Sequence, residues 1–453
     1  MKVILLSGGS GKRLWPLSND TRSKQFLRLL RDEEGHGESM IQRTVRQLGK
    51  AGLVGSSEST RDNLVVATAL SQKDGVENQL GKGVTVVTEP ERRKTFPAIL
   101  LACAYLVSEG VSADETIIVM PCDTYAGDEY FKTVAKMASV VETGVANLVL
   151  MGVTPTYPSE KYGYILPADT TDNAAIDKVS KFIEKPDESE ASELIASGAL
   201  WNGGVFGFKL VYIIEKLKRL LGKEEIDFAS LRKDYDQLPR QSFDTAVAET
   251  EKSEVMVRYE GSWKDLGTWS TLTDELADPA HGNILMEDCT DTFAINELGI
   301  PMICIGAENL IVAASPDGIL VSDRRQSVNL KHLVDSVADR PMYEERRWGE
   351  YRVLDRIECG DGFCALTKQL VLRPGASISY QRHNCRNEVW TFIDGEGEIV
   401  LDDARRRVRR GDVINIAKGQ MHALRAITPL TFIEVQHGSN LVEEDIERFP
   451  YEW

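Results

Sequence analysis

Short apolar runs punctuate the first two-thirds of the chain, at residues 3–6, 64–67, 84–87, 116–120 and 148–153. Each is rich in β-branched residues and lacks polar alternation, the pattern of strands buried on both faces of a parallel sheet. Between them, residues 98–109 and 129–142 space their apolar positions at the helical period. Strands alternating with helices predict a doubly wound α/β sheet, whose ligands gather beyond the carboxyl ends of the strands. The glycine-rich turn after the first run and Pro121-Cys122-Asp123 after the fourth occupy such positions. The texture changes near residues 276–282. Residues 283–330 carry short apolar pieces divided by turns and predict a small β-structured connector. Residues 331–346 are read as a linking helix. From residue 347 nearly everything is strand-like, with turns at Arg373-Pro374-Gly375, Asp394-Gly395, Arg410-Gly411-Asp412 and Lys418-Gly419, which predicts a small β-barrel.

Composition narrows the function classes. At 453 residues, 42% of them hydrophobic, the chain has material for about three domains. A net charge of −17 argues against a general nucleic-acid binder, whose footprint is basic, but leaves room for nucleotides held by local cations. The one dense basic cluster, Arg405-Arg406-Arg407-Val408-Arg409-Arg410, falls between strand-like pieces and reads as a solvated hairpin or a salt-bridge face. The amino terminus reads as a folding strand rather than a signal peptide, and no run approaches the length of a membrane span. Seven cysteines without a CxxC pair predict reduced thiols and a cytoplasmic protein.

Candidate chemistry begins at the first turn. Ser7-Gly8-Gly9-Ser10-Gly11 follows the first strand directly, and glycine lets backbone N–H groups approach a polyphosphate because it has no Cβ to block them. Arg13 and Lys24 then supply positive charge. This stretch, with Arg13-Leu14-Trp15-Pro16-Leu17-Ser18 and Lys24-Gln25-Phe26-Leu27, resembles the signature of sugar-1-phosphate nucleotidylyltransferases, and within them the mannose-1-phosphate guanylyltransferases. Ser23 stands where that family usually has proline.

The resemblance implies a GT-A-like Rossmann nucleotidyltransferase domain over residues 1–275 and a short left-handed β-helix over 283–330. It also implies particular site residues. Asp123 and Asp265, the latter within Gly261-Ser262-Trp263-Lys264-Asp265-Leu266-Gly267, are each similar to one of the family's two magnesium ligands. Magnesium needs only one or two carboxylates beside phosphate oxygens and water. Residues 88–98, including Glu89 and Arg93, resemble a nucleotide-contacting segment in which Lys94 and Phe96 replace the family's usual Asn and Ala. Gly163, Glu184, Lys185 and Asn202 resemble the sugar-phosphate pocket. The implied reaction joins GTP and mannose 1-phosphate into GDP-mannose. Its attacking phosphate is already ionised, so charge neutralisation and alignment matter more than a general base. A different sugar or base is the alternative transferase reading. A non-catalytic sensor is a third reading, opposed by the two aspartates with Arg13, Lys24 and Lys185.

In the carboxyl-terminal stretch, residues 347–453, the spacings Gly375-x5-Gln381-x-His383-x4-Glu388-x6-Gly395 and Gly411 to His422 fit the two cupin motifs, with Gln381 in place of the first motif's first His and Ala417 in place of the second's Pro. Gln381, His383, Glu388 and His422 can thus converge on a second divalent metal, zinc, cobalt or manganese. The region resembles the type II phosphomannose isomerase domain fused to guanylyltransferases. Arg386 is kept from that family's motif, but three of its histidines are here Asn384, Cys385 and Val389. Isomerase activity, and an inert barrel serving structure or a homodimer contact, both remain open at this point.

Overall fold

The structure, a computed structural model, describes residues 1–9, 11–55, 61–168, 176–337, 340–358 and 362–453; Ser10 of the glycine turn lies outside them. The chain forms two compact units, Met1–Leu14 with Ser23–Asp278, and Trp15–Arg22 with Pro279–Trp453.

The first unit's strands are, in chain order, β1 (Lys2–Ser7), β2 (Leu30–Arg31), β3 (Gly37–Glu38), β4 (Leu64–Ala69), β5 (Thr85–Glu89), β6 (Thr116–Pro121), β7 (Thr124–Ala126), β8 (Leu148–Val153), β9 (Gly163–Pro167), β10 (Asp177–Glu184), β11 (Leu200–Lys209), β12 (Glu254–Tyr259) and β13 (Trp263–Asp265). Nine of them make one mixed sheet in the order β5-β4-β1-β6-β11-β8-β12-β10-β9. The five runs read from the sequence as buried strands are all in it, and β1 is central, parallel to both β4 and β6. The sheet is mixed, as the family resemblance implies: β11 lies antiparallel between β6 and β8, and β10 lies antiparallel between β12 and β9. In β11 the Trp201-Asn202-Gly203-Gly204 run breaks strand patterning, because the register slips between Asn202 and Phe206.

Helices cover both faces. Among them are α1 (Met40–Lys50), α2 (Lys73–Leu80), α3 (Thr95–Ser108) and α4 (Asp128–Thr143). Helix α1 starts on a capping box in which Ser39 accepts from the Gln42 backbone and Gln42 returns the bond. Helix α3 is apolar almost all round and sits in the core with β1, β4 and β6. Helix α4 is amphipathic and covers the other face.

In the second unit, Ala280–Gly282, Phe293–Asn296 and Leu310–Ser315 stack in parallel, and Ile284–Glu287 with Met302–Ile305 form a second parallel stack. Two parallel stacks at a repeating offset make the short β-helix. Trp15–Arg22 belongs to this unit: Arg22 donates to both carboxylate oxygens of Glu297 at 2.7 and 2.9 Å, and Ser315 Oγ donates to Pro16 O at 2.6 Å. A helix follows at Leu330–Val337. The stretch read as a linking helix through residue 346 is corrected here. Tyr343–Arg346 is a strand, paired antiparallel with Gly349–Glu358. Pro341 disfavours helical backbone at the residue before it and cannot itself continue the hydrogen-bond ladder.

The barrel closes from a six-stranded and a five-stranded sheet around Leu372, Trp390, Phe392, Ile399, Ile414 and Phe432. Among the described residues no helix is long and apolar enough to cross a membrane.

Candidate active site and barrel metal centre

Backbone pairing brings the two distant aspartates together. After β6 the chain turns through Cys122 and Asp123 into β7, and β13 pairs antiparallel with β7 so that Asp265 faces Thr124. The Lys24 ammonium then joins them: Nζ lies 2.8 Å from Asp265 Oδ1 and 2.9 Å from Asp123 Oδ2. Burial works to lower the Lys24 pKa, but the two carboxylates outweigh it and raise it, so the ammonium stays charged. Gly267 makes room for this arrangement, since a Cβ there would stand 3.0 Å from both Asp265 oxygens. The side chains of Asp123 and Asp265 are 31% and 41% exposed, which leaves room for phosphate oxygens and water. Two carboxylates converging on one cation from a solvent-facing wall is a donor set that fits magnesium.

The glycine turn is laced to the same segment. Ser23 Oγ donates to Gly9 O at 2.6 Å, and Gln25 Nε2 to Ser7 Oγ at 3.1 Å. Ser23 thus ties the turn by a hydroxyl where the family uses a proline ring. Glu89 closes the turn from behind: a Cβ at Gly8 would meet its Oε1 at 3.4 Å, and Tyr235 Oη donates to its Oε2 at 2.7 Å. Burial pushes the Glu89 carboxyl up. Gly11 takes a positive φ of 64° just before the single turn Lys12–Leu14, where Arg13 is exposed. Arg93 donates to Leu238 O at 2.7 Å and pairs with Glu91.

The residues resembling a sugar-phosphate pocket lie on β9, the end of β10, and β11. Glu184 faces Gly163 across the β9–β10 ladder, and a Cβ at Gly163 would stand 2.7 Å from Glu184 Oε2. Lys185 pairs with Glu184. Asn202 Nδ2 donates to Asp244 Oδ1 at 2.6 Å, and Asn202 Oδ1 accepts from Gly204 N at 3.0 Å. Asp244 escaped the sequence reading. Burial, then the charge of Asp244, pushes the Glu184 carboxyl up. The only local sign of Asp244 is the Ser242-x-x-Thr245 cap around it. Tyr157, Tyr162, Trp201 and Trp263 form a ring cluster, with centroids 5.0–5.1 Å apart for the pairs Tyr157–Trp201, Tyr162–Trp201 and Tyr162–Trp263.

In the barrel, the ligand atoms of His383, Glu388 and His422 lie within 4.8 Å of one another, and all three residues are buried. His383 Nε2 is 3.1 Å from Glu388 Oε1, and His422 Nε2 is 3.9 Å from Glu388 Oε2. Gln381 faces His422 in the adjoining ladder, with its Oε1 accepting from Ser379 Oγ at 2.9 Å. His422 Nδ1 is 3.0 Å from Gln420 O, which fixes the proton there and leaves the Nε2 lone pair facing the cluster. Both His383 ring nitrogens and His422 Nε2 are buried without hydrogen-bond partners among the described residues. Burial first, and then Arg386, lowers the His383 pKa to about 2; burial lowers that of His422 as well. Neutral imidazoles with orphaned nitrogens around a carboxylate suit a divalent transition metal.

Arg386 acts on a ligand. Its Nε donates to Glu388 Oε1 at 3.0 Å and its Nη1 to Val442 O at 2.9 Å. Two further polar groups in the interior, Lys368 and Glu434, had no motif to announce them, whereas Gln436 falls in the stretch Val435-Gln436-His437-Gly438 that resembles the isomerase domain. Lys368 Nζ lies 3.9 Å from Glu434 Oε2, and Gln436 Nε2 donates to Glu388 Oε1 at 3.2 Å. Trp390 Nε1 donates to Glu388 Oε2 and Glu434 Oε1, each at 3.1 Å. Period-2 strand patterning could have placed Lys368, Glu434 and Gln436 on inward faces, alternating with half-buried neighbours.

Comparison with known proteins finds matches for both parts of the chain. The family model described as nucleotidyl transferase matches residues 2–281, and that described as mannose-6-phosphate isomerase C-terminal matches residues 337–451. Xanthan biosynthesis protein XanB of Xanthomonas campestris pv. campestris (strain B100) is 33% identical across 98% of this chain and 97% of its own length. Mannose-1-phosphate guanylyltransferase RfbM of Salmonella typhimurium (strain LT2) is 30% identical across 99% of this chain and 98% of its own. A crystal structure described as a mannose-1-phosphate geranyltransferase from Thermus thermophilus superposes with a TM-score of 0.60 at 29% identity, covering 75% of this chain and 99% of that one.

Proposed function

We propose that this chain, which belongs to the nucleotidyl transferase family, makes GDP-mannose and pyrophosphate from mannose 1-phosphate and GTP. It is a sugar-phosphate nucleotidyltransferase with a mannose-6-phosphate isomerase C-terminal domain. One observation carries the reading: Asp123, Asp265 and Lys24 meet at the end of β6, in a segment laced to the glycine turn.

In the proposed reaction an oxygen of the sugar phosphate attacks the α-phosphorus of the triphosphate, and pyrophosphate leaves from the opposite side. Asp123 and Asp265 would hold magnesium, which would supply charge to offset repulsion between the two anions. The backbone of Ser7, Gly8, Gly9 and Gly11 cradles the triphosphate, and Arg13 neutralises the departing pyrophosphate. Glu184 and Asn202 orient the sugar through its hydroxyls, and Lys185 holds its phosphate. The assay is pyrophosphate release from a panel of nucleoside triphosphates and sugar 1-phosphates. Highest kcat/KM with GTP and mannose 1-phosphate is expected; no product from that pair retires the substrate assignment. The cytoplasm, where both substrates and reduced cysteines are at home, is the proposed compartment.

A second reading concerns the barrel and is favoured by the buried Lys368 beside the ligand set. Interconversion of fructose and mannose 6-phosphates needs a metal at the carbonyl, a cation for charge and a proton carrier. Gln381, His383, Glu388 and His422 would hold zinc, cobalt or manganese, and Lys368 supplies an interior cation. Glu434, whose carboxyl is pushed up by burial and by Glu388, can carry the proton in place of the family's lost histidines. A fructose 6-phosphate assay with added divalent metals tests this, and no conversion with any of them removes it. We also propose a homodimer. Leu285, Ile303 and Ile305 expose more than three-fifths of their surface on neighbouring β-helix strands, a face a second copy would cover. A monomeric mass by light scattering would remove that assignment.

A further inference from the structure

Lys24 Nζ is at hydrogen-bond distance from one oxygen of Asp265 and one of Asp123, the two residues read above as the magnesium pair. A divalent ion bound to those oxygens would sit about 2.1 Å from each. Ammonium and metal would then lie within a few ångströms of one another, three positive charges sharing two carboxylates. The two cations would compete for those two oxygens.

We propose that Lys24 is a resident counter-cation that closes the carboxylate pair to free metal and yields it only when a polyphosphate gives the ammonium other oxygens. Metal accordingly binds with, or after, the nucleoside triphosphate, and each tightens the other. Lys24 becomes the positioning residue that couples them. This rests on the proposed metal role of Asp123 and Asp265.

The tether of Lys24 suits the exchange. Its backbone opens the single turn Lys24–Phe26, held from both sides by Ser23 on Gly9 O and Gln25 on Ser7. The anchor is fixed to the very turn whose backbone would cradle the phosphates. Only the side chain has to move, and lysine is a point charge on a stem of rotatable bonds. A phosphate bound on that turn stands within the sweep of the stem. A salt bridge that served structure alone would not link the affinity for metal to the presence of nucleotide.

The test is manganese binding to the full chain by electron paramagnetic resonance, with the barrel first loaded with zinc. Binding at the transferase centre is the part that Asp265→Asn removes. In nucleotide-free protein, Lys24→Met is expected to tighten that binding at least tenfold. The wild type should also bind GTP at least tenfold more tightly with manganese than without it, and Lys24→Met should shrink this factor to threefold or less. Lys24→Gln, whose amide can bridge both carboxylates without charge, repeats the test should Lys24→Met fail to fold. Unchanged or weaker manganese binding in a folded Lys24 variant overturns the proposal while leaving the metal pair standing. Manganese binding that Asp265→Asn does not alter, with or without GTP, overturns the metal reading and this inference with it.

Discussion

Asp265→Asn isolates the charge at the centre of the transferase reading. The amide keeps the shape of the side chain and the β13–β7 pairing, but removes one of two negative charges facing Lys24. At 2.8 Å and an effective dielectric of 20, the lost attraction is about 6 kcal/mol before desolvation is counted. The Asp265 side chain is 41% exposed and Lys24 keeps Asp123, so most of that is offset and the net stability cost is about 1 kcal/mol. A melt shifted down by about 2–4 °C follows. Turnover should suffer far more, because the charge is needed where two phosphate anions are forced together. Loss of at least about 10³ in kcat, or about 4 kcal/mol, is expected. Pyrophosphate release at saturating substrates reads kcat, and calorimetry reads the melt. Lys264→Gln is the control: its ammonium pairs with Glu275, and it should behave as wild type. An Asp265→Asn enzyme with kcat within tenfold of wild type and a native melt would refute the role given to this carboxylate.

Three other outcomes follow from the geometry. In Gly163→Ala the new Cβ meets Glu184 Oε2 at 2.7 Å and the Phe182 ring at 3.0 Å, so stability should fall by about 1–3 kcal/mol. KM for the sugar phosphate should rise about tenfold with KM for the triphosphate unchanged; steady-state kinetics with each substrate varied decides it. Lys94 precedes α3 at φ 70° and ψ −172°, a region suited to glycine, so Lys94→Gly should stabilise by about 1 kcal/mol in chemical denaturation, and a loss would contradict the strain. His383 and His422 are held neutral by burial, whereas an unfolded histidine takes a proton below about pH 6.5. Their contribution is complete above that pH and is lost as pH falls, by up to about 1.4 kcal/mol per pH unit for each. Chelator-treated protein should therefore weaken by about 2–4 kcal/mol between pH 6.5 and 5. A His383→Gln, His422→Gln double variant should flatten that slope, and an equal slope would show that other groups set it.

What the sequence made legible, and what it hid, divides along the range of the interactions involved. The buried strands announced themselves because a run such as Leu148–Val153 has no polar residue to present to water. Motif spacing was as direct in the barrel, where Gln381 and His383 share one strand, Glu388 lies on the next strand of the chain in the facing sheet, and His422 falls opposite Gln381 in the ladder. Strand β11 was hidden because two glycines and an asparagine interrupt it, and those residues serve a register slip that only neighbouring strands can define. Tyr343–Arg346 was mistaken for helix because four residues carry too little periodicity to oppose a flanking helical stretch.

The site divides in the same way, and the division bears on mechanism. Resemblance named Lys24 as a phosphate cation and the aspartates as metal ligands, but assigned them to different partners. The structure sets all three on one another, which no motif spacing encodes, because Asp265 reaches Asp123 only through the β7–β13 pairing. Asp244 and Glu434 were missed for a related reason: each is a single acidic residue whose meaning comes from a partner far along the chain, Asn202 in one case and Trp390 in the other. The residues that sequence reading found are those whose chemistry is local, a turn that bares its amides or a strand that spaces its imidazoles. Those it missed are charges balanced against other charges. Long-range charge balance is also what the transferase must change when its substrates arrive, since the proposed reaction brings two polyanions onto a wall already carrying Asp123 and Asp265. Lys24, anchored by its backbone with its side chain alone between the two carboxylates, is the positive charge placed to move in the proposed exchange.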